Sequence, residues 1–184
     1  MSHLLPEKVA LHFIQNFQRL LLEVAGHSSF PKSAAAEEVN VYVLLAQARN
    51  HLLAHPNVLE DALAALRKAK KPLPADVEQA VRSMKVGRWV YLRDTAHYSV
   101  LLPVEVAAQP YAYAVKSLTT RLRDMGHGSG CAISTALMEY AGVITTDGLV
   151  GHIAYLGANY RESYGDLLAQ ARTQGRFYKQ HLQH

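Results

Sequence analysis

The segment Gly87-Arg88-Trp89-Val90-Tyr91-Leu92 marks the point at which a helical sequence pattern gives way to a strand-like one. From here onward, short runs rich in β-branched and aromatic residues alternate with turn residues, as is typical of strands. Before this point, apolar residues recur three and four positions apart, which indicates amphipathic helices. The pattern predicts an α+β fold with a helical part at residues 1–86 and a sheet part at residues 87–184, packed together as one compact unit.

Four helices are predicted in the first part, forming an N-terminal bundle. Their expected ranges are 6–25, 33–55, 57–71 and 75–84. Ser33 is the expected N-cap of the second helix, and Asn57 with Glu60 three residues later resembles a capping box that opens the third. The cations that end the third helix suit the negative end of its dipole.

A mainly antiparallel sheet is predicted for the second part, with a C-terminal helix at residues 160–174 covering it. The expected strands are 89–92, 98–102, 111–118, 131–140, 143–146 and 153–156. Tyr111, Tyr113 and Val115 share one face by the two-residue period of a strand. Asp147-Gly148 is a tight-turn dipeptide.

Cys131 is the only cysteine among the 184 residues, which excludes an intramolecular disulfide and a cysteine-based zinc cluster. Its apolar neighbours predict a buried strand position. The N-terminus shows no secretory signal pattern, and no apolar run reaches the length of about 20 residues that a membrane span needs. We therefore expect a soluble cytoplasmic protein with no membrane partner.

The second part resembles a group of uncharacterised bacterial proteins. The segments that carry the resemblance are Gly87–Leu92, Ala112–Leu118 and, above all, the stretch from Ala136 to Leu149, in which a hydrophobic strand, a short turn and Asp147-Gly148-Leu149 follow one another. A Gly157-Ala158-Asn159-Tyr160 step then opens the last helix. The resemblance implies a shared fold over roughly the last hundred residues and no activity.

Positive charge is concentrated beside the change of pattern. Between residues 67 and 93 there are eight Lys or Arg and only two acids, although the whole chain has a net charge of only +4. Clustered cations that neutralise phosphates give salt-dependent nucleic-acid affinity, and the interleaved Trp89 and Tyr91 are candidates for stacking on bases. The leading hypothesis is non-enzymatic nucleic-acid binding, DNA or RNA, by these eight residues: Arg67, Lys68, Lys70, Lys71, Arg82, Lys85, Arg88 and Arg93.

A homo-oligomeric protein-interaction module is the main alternative. The chain has ten tyrosines, a residue type enriched at interfaces, and three of them, Tyr155, Tyr160 and Tyr164, lie near the last helix. An exposed strand edge offers a route to self-association.

A small-molecule or hydrolytic enzyme with a site near the Asp147 turn is the third possibility. Loops on a rigid scaffold commonly carry catalysis. The polar residues near turns and strand ends are Asp94, His97, His127, Glu139, Asp147 and His152. No hydrolase, nucleotide-binding or metal-carboxylate motif accompanies them, and the Gly126–Gly130 stretch lacks the Lys and Ser/Thr of a phosphate-binding loop. The sequence therefore assigns no catalytic residue and no cofactor.

Metal binding deserves consideration because ten histidines are many for this length. His51 and His55 are four positions apart on a predicted helix, so both side chains lie on one face. His12 and His27 are the candidate third ligands, but no sequence spacing places either of them nearby. A solvated helix end is the favoured interpretation, and no metal site is assigned.

Overall fold

The computed structural model describes residues 3–31, 40–105, 107–125 and 128–183, and only the backbone of His152. Within these ranges the chain forms five α-helices and seven β-strands. The helices are α1 (Glu7–Ala25), α2 (Val41–Ala54), α3 (Pro56–Lys68), α4 (Ala75–Arg82) and α5 (Ala158–Thr173). The strands are β1 (Lys85–Asp94), β2 (Ser99–Pro103), β3 (Ala112–Lys116), β4 (Cys131–Tyr140), β5 (Val143–Thr146), β6 (Gly151–Tyr155) and β7 (Phe177–Tyr178). The predicted α+β class is confirmed.

The chain divides into two compact units. We call residues 11–82 the helical unit, and residues 1–10 together with 83–184 the barrel unit. The division falls between Arg82 and Ser83, four residues before the position expected from the sequence, and the N-terminal residues group with the strands. None of the described helices is both long and apolar enough to cross a membrane.

Each helix of the helical unit buries apolar residues, whereas Tyr42 and Val43 of α2 are 45% and 47% exposed. Phe17, Leu21, Leu52, Leu63 and Val77 are each at most 3% exposed. The predicted cap Ser33 lies outside the described residues.

The start of α3 differs from the prediction. The helix begins at Pro56, with His55 at the N-cap, so Asn57 and Glu60 lie inside the helix and do not form a capping box. Proline suits the first helical position, because its missing N–H would have no intrahelical partner there. The predicted box was therefore wrong.

α3 ends in a Schellman motif. The N–H of Lys70 donates to the carbonyl of Arg67, and the N–H of Lys71 donates to that of Leu66, at 3.0 and 2.9 Å. Lys70 has a φ of +57°, a left-handed conformation that usually takes glycine. This turn orients the cationic end of the helix.

Strands β1 to β5 close into a barrel. β1 pairs with both β2 and β4, β2 pairs with β3, and β4 pairs with β5, all antiparallel. The circuit is closed by β3 and β5, which run parallel. β6 joins β4 outside the circuit, and β7 adds to β3. The sequence predicted a mainly antiparallel sheet, and the long β1 shared between two partners turns that sheet into a barrel.

Two apolar clusters hold the barrel unit together. The interior contains Trp89, Tyr91, Leu101, Tyr113, Val115, Leu122, Cys131, Ile133, Leu137, Ile144, Val150 and Leu182. On the outside, Tyr164, Leu168 and Ala171 of α5 cover residues of β1, β2 and β3, including Val100 and Leu102. The predicted covering helix is therefore present.

Two tight turns shape the strand connections that follow β4. Ala141 and Gly142 have φ values of +52° and +73°, the two positive angles of a type I′ hairpin turn between β4 and β5. After β5, Asp147 accepts the N–H of Leu149 at 3.1 Å and Gly148 has a φ of +83°. This side-chain-capped turn leads the chain towards β6.

Candidate functional site

The cationic residues proposed from the sequence are divided between the two units. Arg67, Lys68, Lys70, Lys71 and Arg82 belong to the helical unit, and Lys85, Arg88 and Arg93 belong to the barrel unit. We describe the two groups separately.

The end of α3 presents four exposed cations, Arg67, Lys68, Lys70 and Lys71, which we call the basic turn. Within the described chain, the three lysines have no carboxylate at ion-pair distance. Arg67 contributes to lowering the pKa of Glu60, after the larger effects of Arg82. The basic turn is therefore a concentrated positive surface whose lysines remain available to an anion.

Arg82 is engaged differently, because two carboxylates of its own unit hold it. Its guanidinium lies 2.7 Å from Glu60 and 2.8 Å from Glu78. These hydrogen bonds raise the pKa of Arg82 above its already high ordinary value. A phosphate would have to compete with both acids, so Arg82 is a weaker candidate than the three lysines.

The barrel unit has an open groove of about 530 Å³ along the first half of β1. Its lining includes Lys85, Arg88, Trp89, Glu105 and Tyr111, and we call it the β1 groove. Arg88 is 59% exposed and lies 2.6 Å from Glu105, which is 85% exposed. Such a surface pair contributes little and exchanges readily for another anion.

Lys85 and Arg93 are the other two cations of the barrel unit that the sequence proposed for binding. The ammonium of Lys85 donates to the carbonyl of Gln183, near the end of the chain. Arg93 is exposed and lies at a bulge of β1, where the pairing with β2 shifts register. Arg88 is therefore the most accessible cation in the β1 groove.

The aromatic residues suggested for base stacking are not available for it. Tyr91 is fully buried and Trp89 is 5% exposed. The indole N–H donates to the carbonyl of Thr135 at 3.0 Å, and a side chain at Gly87 would collide with the ring. That part of the hypothesis was wrong, since alternation along β1 turns both rings into the barrel. Tyr111, half-buried in the groove, is the aromatic residue with an accessible face.

The carboxylates considered for catalysis each serve the fold. Asp94 accepts from Ser99 Oγ at 2.7 Å, and Glu139 accepts the N–H of Leu182 at 2.6 Å. Asp147, 4% exposed, accepts from Thr135 Oγ1 at 3.1 Å as well as from the Leu149 N–H.

The histidines considered for catalysis do not form a catalytic arrangement within the described part of the chain. His97 is exposed in the β1–β2 turn. His127 and the side chain of His152 lie outside the described part of the chain. No catalytic arrangement therefore emerges near the Asp147 turn from the described residues.

Burial also raises the pKa of several nucleophilic groups in the barrel unit. It raises the pKa of the Cys131 thiol, which is fully buried. It also raises the pKa of Tyr113 to about 12. Both groups therefore stay protonated and unreactive at neutral pH, in agreement with the structural role expected for Cys131.

The histidines of the helical unit form a connected group. The rings of His51 and His55 stack with centroids 4.4 Å apart, and Ser29 Oγ lies between His27 Nδ1 at 2.8 Å and His51 Nε2 at 3.0 Å. His12 instead pairs with Asp76. Among the described residues, no three His, Cys, Asp or Glu side chains are arranged to hold a metal ion.

The tyrosines near the last helix have different environments. Tyr155 and Tyr160 are each 66% exposed, whereas Tyr164 is buried and donates from its hydroxyl to the carbonyl of Val104 at 2.8 Å. Within the described chain, β6 pairs only with β4, which leaves its other edge open. Self-association through this edge stays a prediction.

The comparisons with known proteins found no relative. No protein-family model matches the chain, no curated protein is significantly similar to it, and no solved structure matches its fold. Arguments about function therefore rest on the residues and geometry described above.

Sequence reasoning missed Tyr111 as a groove residue and Ser29 as the centre of the histidine group. Tyr111 was expected within a strand on the face of Tyr113, whereas β3 begins at Ala112, and nothing in the strand pattern shows that Tyr111 and β1 line one groove. Ser29 and His27 are close in sequence, whereas His51 belongs to another helix. The one available signal was the number of histidines, which does not reveal which of them meet.

Proposed function

We propose that the protein binds nucleic acid through the basic turn of the helical unit and the β1 groove of the barrel unit. The observation that carries the proposal is the closed circuit β1–β2–β3–β5–β4 with its parallel β3–β5 pair. This is the strand connectivity of the OB barrel, a fold that commonly binds oligonucleotides. The connectivity favours single-stranded DNA or RNA as the ligand.

The residues support this proposal beyond the connectivity, which by itself does not imply a function. In OB barrels, ligands usually contact the outer face of the second and third strands. Here α5 covers that face at Val100 and Leu102. The β1 groove remains open beside it and offers Arg88 for a phosphate and Tyr111 for a base.

The basic turn supplies the second cationic surface. Exposed lysines gain affinity for nucleic acid by releasing counterions from the phosphates, so binding falls as salt rises. Among the described residues, Lys68, Lys70 and Lys71 have no ion pair to lose when they take up this role. We therefore assign sequence-independent affinity to the basic turn.

The experiment is fluorescence anisotropy with labelled single-stranded DNA, duplex DNA and RNA at low and physiological salt. We expect tightest binding to a single strand. A variant with Lys68, Lys70 and Lys71 changed to Glu is expected to raise the Kd at least about tenfold, and to lower the slope of log Kd against log salt by about 2.

The matched control changes Lys8, Arg121 and Lys179 to Glu, because these exposed cations lie outside both surfaces and give the same net charge. If both triple variants weaken binding equally, net charge is responsible and the basic turn is not a site. If the unmodified protein binds none of the three probes at low salt, the proposal is wrong.

A further inference from the structure

Ser29 lies at the centre of a hydrogen-bonded chain that the nucleic-acid proposal does not use. Its hydroxyl is 2.8 Å from His27 Nδ1 and 3.0 Å from His51 Nε2. On the far side of the imidazole of His27, Nε2 lies 3.4 Å from Asp61 Oδ2. All four residues belong to the helical unit.

One backbone bond determines where the protons lie. The N–H of Ser29 points at His27 Nδ1 at 3.2 Å, so this nitrogen carries a lone pair. A neutral His27 must then carry its proton on Nε2, facing Asp61. Because Nδ1 has no proton to give, the hydroxyl of Ser29 donates to it.

His51 is a hydrogen-bond donor to Ser29, whereas His27 is an acceptor from it. Since the Ser29 hydroxyl proton is committed to His27, the contact between Ser29 Oγ and His51 Nε2 requires His51 to donate. Burial first, and then the neighbouring His55 and His27, lowers the pKa of His51. The order of donors is therefore His51 to Ser29 and Ser29 to His27, with Asp61 at ion-pair distance from the other nitrogen of His27.

This order matches the roles of a nucleophile, a general base and an orienting carboxylate. The base accepts through Nδ1 rather than through Nε2, and either imidazole nitrogen can accept a proton. His51 adds a donor beside the nucleophile, where negative charge on oxygen develops during attack on a carbonyl.

A cavity of about 300 Å³ has His27, Ser28 and Asp61 in its wall and adjoins Ser29, which is not itself one of its lining residues. Leu22, Ala62 and Ala65 give the wall an apolar part, and Glu23 adds a second carboxylate. Two acids disfavour an anionic ligand. The cavity therefore suits a small uncharged group.

We propose that Ser29 is the nucleophile of an acyl-transfer site that hydrolyses short, uncharged carboxylic esters, with His27 as general base and Asp61 as the residue that orients it. Ser29 Oγ bonds to the ester carbonyl carbon while its proton moves to His27 Nδ1. The bond from that carbon to the alcohol oxygen then breaks, and the departing alkoxide takes the proton. Water repeats the sequence on the acyl-serine, releasing a carboxylic acid and restoring the hydroxyl.

The test combines turnover of 4-nitrophenyl acetate with covalent labelling by a fluorophosphonate, using the whole chain. We expect labelling of Ser29, identified by peptide mass spectrometry, and a kcat/KM at least about 100-fold above that of Ser29→Ala. Comparison with Ser29→Ala removes the background hydrolysis by other imidazoles. Ser28→Ala is the matched control, since Ser28 is exposed and lines the same cavity but has no hydrogen bond to His27 in the described chain.

The His27→Ala variant tests whether the reactivity of Ser29 depends on His27 or only on the exposure of the Ser29 hydroxyl. We expect it to abolish labelling although Ser29 is still present. Labelling of Ser29 that persists in His27→Ala, an unchanged rate in Ser29→Ala, or the absence of any serine adduct overturns the proposal. Nucleic-acid binding measured by anisotropy is unaffected by Ser29→Ala, so the two proposals fail independently.

Discussion

The barrel unit and the helical unit use their polar side chains in opposite ways. In the barrel unit, Asp147 and Glu139 accept hydrogen bonds that fix a turn and the end of the chain. In the helical unit, Ser29, Lys68 and Lys70 are exposed, and the two lysines have no acidic partner in the described residues. Polar residues near strand ends suggested catalysis from the sequence, but the carboxylates among them accept hydrogen bonds within the fold.

The largest expected effect tests the structural role of the barrel carboxylates. Asp147→Ala removes the buried carboxylate that accepts from the Thr135 hydroxyl and from the Leu149 N–H. We expect a loss of about 3 kcal/mol in the free energy of unfolding. Urea unfolding followed by the fluorescence of Trp89, the only tryptophan, reports the barrel directly.

Asp166→Ala is the control for this change, because Asp166 is exposed on α5. We expect it to change stability by no more than about 0.5 kcal/mol. An equally small effect of Asp147→Ala would break the contrast between the two units.

The next largest expected effect is a loss of stability at alkaline pH, which tests the contribution of Tyr113 to the barrel interior. Tyr113 is 1% exposed, and its pKa is raised by burial to about 12 from an ordinary value of 10. Because the pKa of Tyr113 is higher in the folded state than in the unfolded state, the folded state keeps the proton up to a higher pH. The stabilisation is therefore complete below pH 10 and is lost as the pH rises towards 12.

Tyr113→Phe is expected to remove about 2 kcal/mol of the fall in unfolding free energy between pH 10 and pH 12. Urea unfolding at several pH values measures it, and Tyr155→Phe at an exposed position serves as control. The same pH dependence in both variants would contradict a specific contribution from Tyr113.

The smallest expected effect comes from two substitutions at the basic turn. They remove the same charge but change the free energy of unfolding in opposite directions, so they separate stability from binding. Lys70→Gly relieves the left-handed backbone strain and is expected to stabilise the helical unit by about 1 kcal/mol, measured by circular dichroism during urea unfolding. Lys68→Gly removes the same charge from the last turn of α3 and is expected to destabilise the unit by about 1 kcal/mol. If charge decides nucleic-acid affinity, both variants bind equally weakly. Affinities that follow stability instead would indicate that the fold of the turn is what matters.

Much of the fold was predictable because its signals are local. The apolar spacing of α1 and the alternation along β3 predict those elements, and Gly142 marks a turn. Barrel closure was not predictable in this way, since the same β1 residues Trp89 to Tyr91 pair with β2 on one edge and with β4 on the other. No pattern within β1 indicates two partners.

The candidate sites show the same limit. The cations of the basic turn follow directly from the sequence, because charge and exposure at a helix end are local properties. The Ser29 site depends on His51 of α2, which is hydrogen-bonded to Ser29, and on Asp61 of α3, which lies at ion-pair distance from His27. Packing of the helices brings these groups together, and charge or spacing alone does not reveal it.

The N-terminal segment has a consequence for how the protein is made. The Leu5 N–H donates to the carbonyl of Ser117, and the Ser117 N–H donates to that of His3, each at 3.0 Å. Residues 3–5 leave the ribosome before the whole helical unit, whereas Ser117 follows it. At synthesis rates of about 5–20 residues per second, the segment waits for seconds before its partner emerges. Residues 3–5 can therefore form these native hydrogen bonds only after the whole helical unit has been made.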